Sequence, residues 1–165
     1  MNVWFTADTH FGHKNIIKYC NRPFATVKEM DEHYIEQHNK LVQPSDYVYH
    51  LGDVSFGPPD AFNRLNGVKH LVKGNHDYAR SDAKYDVEWI KDIYELKVGD
   101  NAIVLCHYPI LEWHKKSKGS YHFYGHVHGR LAPTDKSIDV GVDLWNYRPV
   151  NLEEIFDKLG KIVVE

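Results

Sequence analysis

At 165 residues the chain has the size of one compact domain, long enough to bury a core without disulfides or a partner. A net charge of -3 with neutral histidines argues against a non-specific nucleic-acid coat, which needs a basic surface to displace counterions, and leaves room for local basic patches. The two cysteines, Cys20 and Cys106, are too few and too far apart in sequence for a disulfide scaffold, and no Cys-x-x-Cys pair points to structural zinc or redox chemistry. No segment approaches the roughly twenty apolar residues of a membrane span.

The first predicted strand, Asn2 to Ala7, runs directly into Asp8-Thr9-His10, where a secretory signal would show a basic start and a longer apolar stretch. A cytoplasmic, reducing setting is the expectation. A polar loop, Asp8 to Pro23, follows. Thr26-Val27-Lys28-Glu29 has the form of a capping box, and Met30, Tyr34, His38 and Leu41 recur at helical spacing, so a helix from Val27 to Leu41 is predicted. The second strand, Tyr47 to Leu51, leads into Gly52-Asp53. Pro58-Pro59 is placed to start a short helix through Asn66, since proline is tolerated in a first helical turn. A third strand, Val68 to Lys73, then runs into Gly74-Asn75-His76-Asp77. This β-α-β-α-β order favours parallel strands with covering helices.

Beyond Tyr78 the elements shorten, with strands near Ile93 to Val98, Ala102 to Cys106, Tyr121 to Tyr124 and Ser137 to Val142, and a hairpin turn at Asp100-Asn101. Asn151-Leu152-Glu153-Glu154 resembles a second capping box, opening a helix closed by Gly160, with Lys161 to Val164 as an edge strand. With no linker or repeat, residues 1–165 read as a single domain.

Five strings, Asp8-Thr9-His10, Gly52-Asp53, Gly74-Asn75-His76-Asp77, Cys106-His107 and Gly125-His126-Val127-His128, each follow an apolar run. They place oxygen and imidazole donors where parallel strands end, the donor types that hold divalent metals and activate water. Two neighbouring cations need a shared anionic ligand, and Asp53 is the acid available. Asp8 and His10, two residues apart, face one side if strand geometry persists, and His126 and His128 have the same spacing. Asn75 and His107, with Asp53 and one of the final histidines, complete a second set. His50, His70 and His122 read as ordinary core histidines, and Cys106, in an apolar strand, as a packed thiol.

The ordered pattern D-x-H, G-D, G-N-H-[DE], H and G-H-x-H, carried here by residues Asp8 to His128, resembles the calcineurin-like metallophosphoesterase superfamily. The segment Asp139-Val140-Gly141-Val142-Asp143, with Trp145 to Val150, resembles its small bacterial and phage-type members. That resemblance implies an α/β (α+β) four-layer sandwich, two facing mixed β-sheets flanked by helices. It assigns Asp8, His10, Asp53 and His128 to one ion and Asp53, Asn75, His107 and His126 to the other, with Mn²⁺ the leading metal and Fe, Zn, Ni or Mg as options. It implies hydrolysis of phosphate mono- or diesters by a hydroxide bridging the metals, with His76 protonating the leaving oxygen and Asp77 orienting its ring. Gly52-Asp53 continues as Val54-Ser55-Phe56-Gly57, unlike the G-D-x-x-D-R-G of protein phosphatases, which favours small esters.

The implied partner is a small phosphorylated substrate, a nucleotide among the options, with no membrane and no stable nucleic-acid complex, in the cytoplasm of a cell or of a phage host. The alternatives are a non-catalytic scaffold on this fold and a nuclease or cyclic-nucleotide phosphodiesterase. Among weaker signals, His13, Lys14 and Asn15 either face a substrate phosphate or form a solvated loop. Arg22 either joins them or forms an ion pair. The basic run Trp113 to Ser120 either closes over an anion, with Trp113 stacking on a base, or is a solvated turn; Tyr78-Ala79-Arg80 is equally open.

Overall fold

The computed structural model describes residues 1–77 and 84–163, the last three of these by backbone alone. The Tyr78-Ala79-Arg80 segment and Val164 lie outside the described residues. The first sheet takes its strands in the order β4-β3-β2-β1-β9. It comprises β1 (Val3–Thr6), β2 (Tyr47–His50), β3 (Val68–Val72) and β4 (Ile90–Lys91), all parallel, closed by antiparallel β9 (Val150–Asn151). The second, β5-β6-β7-β8, comprises β5 (Ile93–Val98) antiparallel to β6 (Asn101–Cys106), with β7 (Tyr121–Tyr124) and β8 (Ser137–Asp139) parallel to β6.

Alternation along the strands gives each sheet two different faces. Phe5, Tyr49, Leu51 and Val72 meet Leu96, Ile103, Leu105, Phe123 and Ile138 in the core between the sheets. Trp4, Val48 and Leu71 point the other way. There they pack under α2 (Val27–Leu41) and α3 (Asp60–Asn63), whose Tyr34, Ile35 and Phe62 complete the second apolar layer. The two facing mixed sheets with flanking helices are thus present. Over the second sheet the outer layer is the Pro109–Ser120 segment, in which the Ile110 N–H donates to His122 Nε2 at 3.0 Å and Trp113 lies against the His122 ring.

One capping box forms in full and the other in part. Thr26 Oγ1 accepts from the Glu29 N–H at 3.1 Å, and the Glu29 carboxylate accepts from Ala25 rather than from Thr26 itself. Asn151 and Glu154 are reciprocal at 2.9 and 3.2 Å, opening α4 (Leu152–Val163). Several expectations are corrected. The polar loop after Asp8 contains a helix, α1 (Lys14–Tyr19), and α3 is shorter than the Pro58 to Asn66 span. The β5–β6 turn sits on Gly99-Asp100, because Val98 pairs with Asn101 and Gly99 takes φ +58°. Gly160 does not close α4, and 161–163 are helical rather than a strand. A glycine in a helix costs about 1 kcal/mol, which burial of Ile155 and Leu159 on the core outweighs.

Candidate metal centre

The five strings converge where β1, β2 and β3 of one sheet and β6 and β7 of the other reach their C-terminal ends, the usual location of ligand sites in parallel sheets. Their backbones interlock: Asp8 donates to the Gly52 carbonyl at 3.0 Å and His10 to the Asp53 carbonyl at 3.1 Å, while the Asp8 carboxylate accepts from the His126 N–H at 2.9 Å. A Cβ on Gly74 would lie 2.3 Å from Asp53 Oδ1, so only glycine permits this approach.

Extended geometry is not what aligns Asp8 with His10, because β1 ends at Thr6. Asp8, His10, Asp53, His126 and His128 all sit in left-handed backbone, φ +48° to +70°. Non-glycine residues rarely adopt this conformation, and it clusters at functional sites. The result is two triads of donor atoms, each triad mutually within 4.8 Å: Asp8, His10 and His128; Asp53, His107 and His126. His126 and His128, equally spaced in sequence with Asp8 and His10, go to opposite triads.

Asp53 Oδ2 links the triads: it lies 3.5 Å from His107 Nε2 of its own and 3.6 Å from His10 Nε2 of the other. Asn75 Oδ1 is 3.1 Å from both His107 Nε2 and His126 Nδ1, which adds an amide oxygen to the second triad. Donors sharing a tetrahedral ion at 2.1 Å are separated by roughly 3.4 Å, so these spacings fit a cation held between the donors. A further sign is His10 Nε2, buried with no hydrogen-bond partner. Such an orphan is costly unless another species satisfies it.

Outer contacts aim the rings. His107 Nδ1–H donates to the Leu51 carbonyl at 2.6 Å and His128 Nδ1–H to Asp143 Oδ2 at 2.8 Å, which leaves the Nε2 atoms for a metal. Burial pushes the Asp8 carboxyl up to about 7, beyond the opposing pull of His128 and His107. Burial also disfavours charge on Asp53, but the bond and charge of His107, the His76 amide and His10 outweigh it, so Asp53 stays below the usual carboxylate range. His10 is lowered to about 2, first by burial. His128 is raised to about 10, because Asp143, Cys20 and Asp8 overcome its burial.

His76 sits at the rim, 42% exposed, with Nε2 3.9 Å from Asp53 Oδ2 and its ring beside those of His10 and Phe56. Asp77 does not orient that ring. Its carboxylate accepts from the backbone N–H groups of Gly74 (2.7 Å), Asp53 (2.8 Å) and Val54 (3.0 Å), tying two donor loops together. Arg22 is likewise corrected: buried, it pairs with Asp143 at 2.9 Å and donates to the Asp8 and Thr9 carbonyls. It therefore supports the centre from behind. Lys14 and Asn15 are exposed on α1 and do not line the cleft beside the centre, whereas His13 does. Trp113 is buried, its indole N–H donating to Ser120, with the His122 ring against it and Lys116 Nζ 4.7 Å from its ring centroid.

His50, His70 and His122 are buried and hydrogen-bonded, to Thr9 Oγ1, the Val48 carbonyl and the Val104 carbonyl respectively. Sequence reasoning missed Asp143, which orients His128, and Asp139, which accepts from the Gly129 and Gly141 N–H groups. Asp143 lay in a quoted string, yet its partner Arg22 is 121 residues away, and nothing local signals the pair. Cys20 converges with His128 and Asp143 beside the cleft.

Comparison with known proteins agrees with this geometry. Residues 1–146 match the model of the calcineurin-like phosphoesterase superfamily domain. An uncharacterised protein of Methanocaldococcus jannaschii is 34% identical, over 98% of this chain and 94% of its own length. The gene 66 protein of Mycobacterium phage L5 is 27% identical over 98% of this chain and 95% of its own. A crystal structure of a protein of unknown function from Aquifex aeolicus superposes with a TM-score of 0.74 at 25% identity, covering 96% of this chain and 98% of that one. The chain belongs to the calcineurin-like phosphoesterase superfamily.

Proposed function

We propose that the chain is a metal-dependent phosphoesterase that holds two divalent cations on either side of Asp53. One observation carries this reading: a buried carboxylate oxygen of one triad, Asp53 Oδ2, stands 3.5 Å from His107 Nε2 of its own triad and 3.6 Å from His10 Nε2 of the other. Asp8, His10, His128 and Asp53 would hold one ion, and Asp53, Asn75, His107 and His126 the other. When bound, such cations polarise a phosphoryl group, offset its charge and acidify water. Oxygen and imidazole donors suit Mn²⁺, our choice, as well as Fe, Zn, Ni or Mg.

The chain supplies the remaining chemistry. His76, half in solvent and facing the Asp53 side of the cleft, is placed to hydrogen-bond or protonate the departing ester oxygen. Its backbone N–H donates to Asp53 Oδ1 at 3.0 Å, which ties the loop that carries the proton donor to the shared carboxylate. Asp77, through its three amide bonds, keeps their loops in register. The substrate we propose is a small phosphate mono- or diester, a nucleotide included. A non-catalytic scaffold would have no need for a complete donor set with a strained backbone, and this disfavours that alternative.

The test is release of 4-nitrophenol from bis(4-nitrophenyl) phosphate and from 4-nitrophenyl phosphate by Mn²⁺-loaded protein. Hydrolysis of either, abolished by chelation and restored by metal, supports the proposal, and their ratio separates diesterase from monoesterase. Inert, fully metal-loaded protein would favour the scaffold.

A further inference from the structure

The second sheet carries a cavity of its own, about 410 Å³, within the roughly 300–1,000 Å³ range of small-molecule sites. It lies on the outer face of β7, where Phe123 turns into the core between the sheets and Tyr124 turns away from it. Its walls come from the segments that follow two donors of the metal centre: Ile110 and Trp113 after His107, Leu131 and Ala132 after His128. Tyr124 also lines it, 1% exposed, and among the described residues its hydroxyl is buried with no hydrogen-bond partner. Burial, aided by the charge of Asp139, pushes that group up to about 12, so it is a neutral hydroxyl able both to donate and to accept.

The other polar groups of the lining are engaged or face water. Thr134 Oγ1 and Ser137 Oγ bond each other at 2.9 Å. Lys116 Nζ donates to the Leu111 carbonyl at 2.7 Å and pairs with Glu112 at 3.1 Å. Asp135, exposed, adds a negative charge. An anionic ester would meet a carboxylate here and a cation already committed, so the lining does not suit a second phosphate. It offers an apolar surface and one hydroxyl in want of a partner, and buried polar groups are rarely left so. We propose that this cavity binds a small neutral molecule bearing one hydroxyl, its apolar body against Ile110, Trp113 and Leu131 and its hydroxyl bonded to Tyr124. The site is separate from the metal centre and does not depend on the phosphoesterase reading.

Amide-shift titration by NMR of Mg²⁺-loaded protein with phenol and with toluene, a pair of one shape, tests this. Shifts should gather at Ile110, Tyr124 and Leu131 and persist after chelation. A net hydrogen bond of about 0.5–1.5 kcal/mol corresponds to about 2- to 10-fold in affinity, so the ratio of phenol to toluene affinity should fall by that factor in Y124F while toluene binds as before. A132W, which adds bulk to the wall at an exposed position, should weaken both ligands. Without ligand, Y124F should melt no lower than the native chain, because it removes a hydroxyl that bonds nothing. A ratio unchanged in Y124F, a lower melting temperature for that variant, or shifts that follow the metal would each overturn the proposal. So would a chain that sediments as a dimer and takes up no phenol, which would assign this face to a second copy.

Discussion

Asp8, His10, Asp53, His126 and His128 each hold left-handed backbone, a conformation that costs on the order of 1–3 kcal/mol per residue. Interlocked amide bonds and a buried set of donors maintain it. If those donors share two cations across Asp53, then Asp53→Asn should lower bound metal, measured by elemental analysis, and hydrolysis together. His76→Ala should keep the metal and lose about 10²- to 10⁴-fold in rate, the usual worth of a general acid. Normal turnover in both variants would remove these assignments. Arg22 makes a different prediction. Its loss removes one of the two partners of the buried Asp143 carboxylate and leaves His128, so Arg22→Met should destabilise the fold by about 1–3 kcal/mol in urea denaturation. A raised KM at unchanged stability would instead return Arg22 to the substrate. That these acids and imidazoles gather in one place was legible from residue type and order, because each string follows a strand of the same sense. The backbone strain and the Arg22–Asp143 pair were not, because they arise only when distant segments meet.

Elements with strong local signals appear where the sequence places them. α2 carries a capping hydroxyl and periodic Met30, Tyr34 and His38, and β1 to β3 are short apolar runs ended by glycine or a charged residue. Elements whose stability comes from tertiary contact were missed. Polar α1 is pinned by burial of Ile16, and β4 and β9 are two-residue strands that pair only at sheet edges. Trp113 and its basic neighbours were open to a substrate role, yet the ring covers the second sheet. α2 also carries a pH prediction. His38 Nε2–H donates to the Asn66 carbonyl at 2.9 Å, while Nδ1 is buried without a partner. Burial, against the pull of that carbonyl and aided by Lys69, lowers His38 to about 4 from 6.5. The unfolded chain then takes up the proton first, so the contribution of neutral His38 is intact above pH 6.5 and lost as pH falls through about 4, on the order of 3 kcal/mol. His38→Gln should flatten that part of the stability profile. An unaltered slope between pH 6.5 and 4 would show that His38 titrates normally.

Across the whole molecule, the two sheets share one core and bring their donors to the same end. The parallel order of β1 to β3 was readable from the β-α-β pattern, whereas the face-to-face placement of β5 to β8 came only through the family resemblance. Because donors come from both sheets, metal binding should couple to global stability. Saturation at 100 times Kd adds about 2.7 kcal/mol, so chelation should lower the melting temperature by several degrees, reversibly on adding Mn²⁺. A melting temperature indifferent to chelator in protein that demonstrably held metal would break that coupling. The most direct measurement is an anomalous-difference map from crystals grown with Mn²⁺. The account predicts two peaks per chain flanking Asp53, one among Asp8, His10 and His128 and one among Asn75, His107 and His126. Peaks absent there, or a single ion that leaves Asp53 uncoordinated, would contradict it.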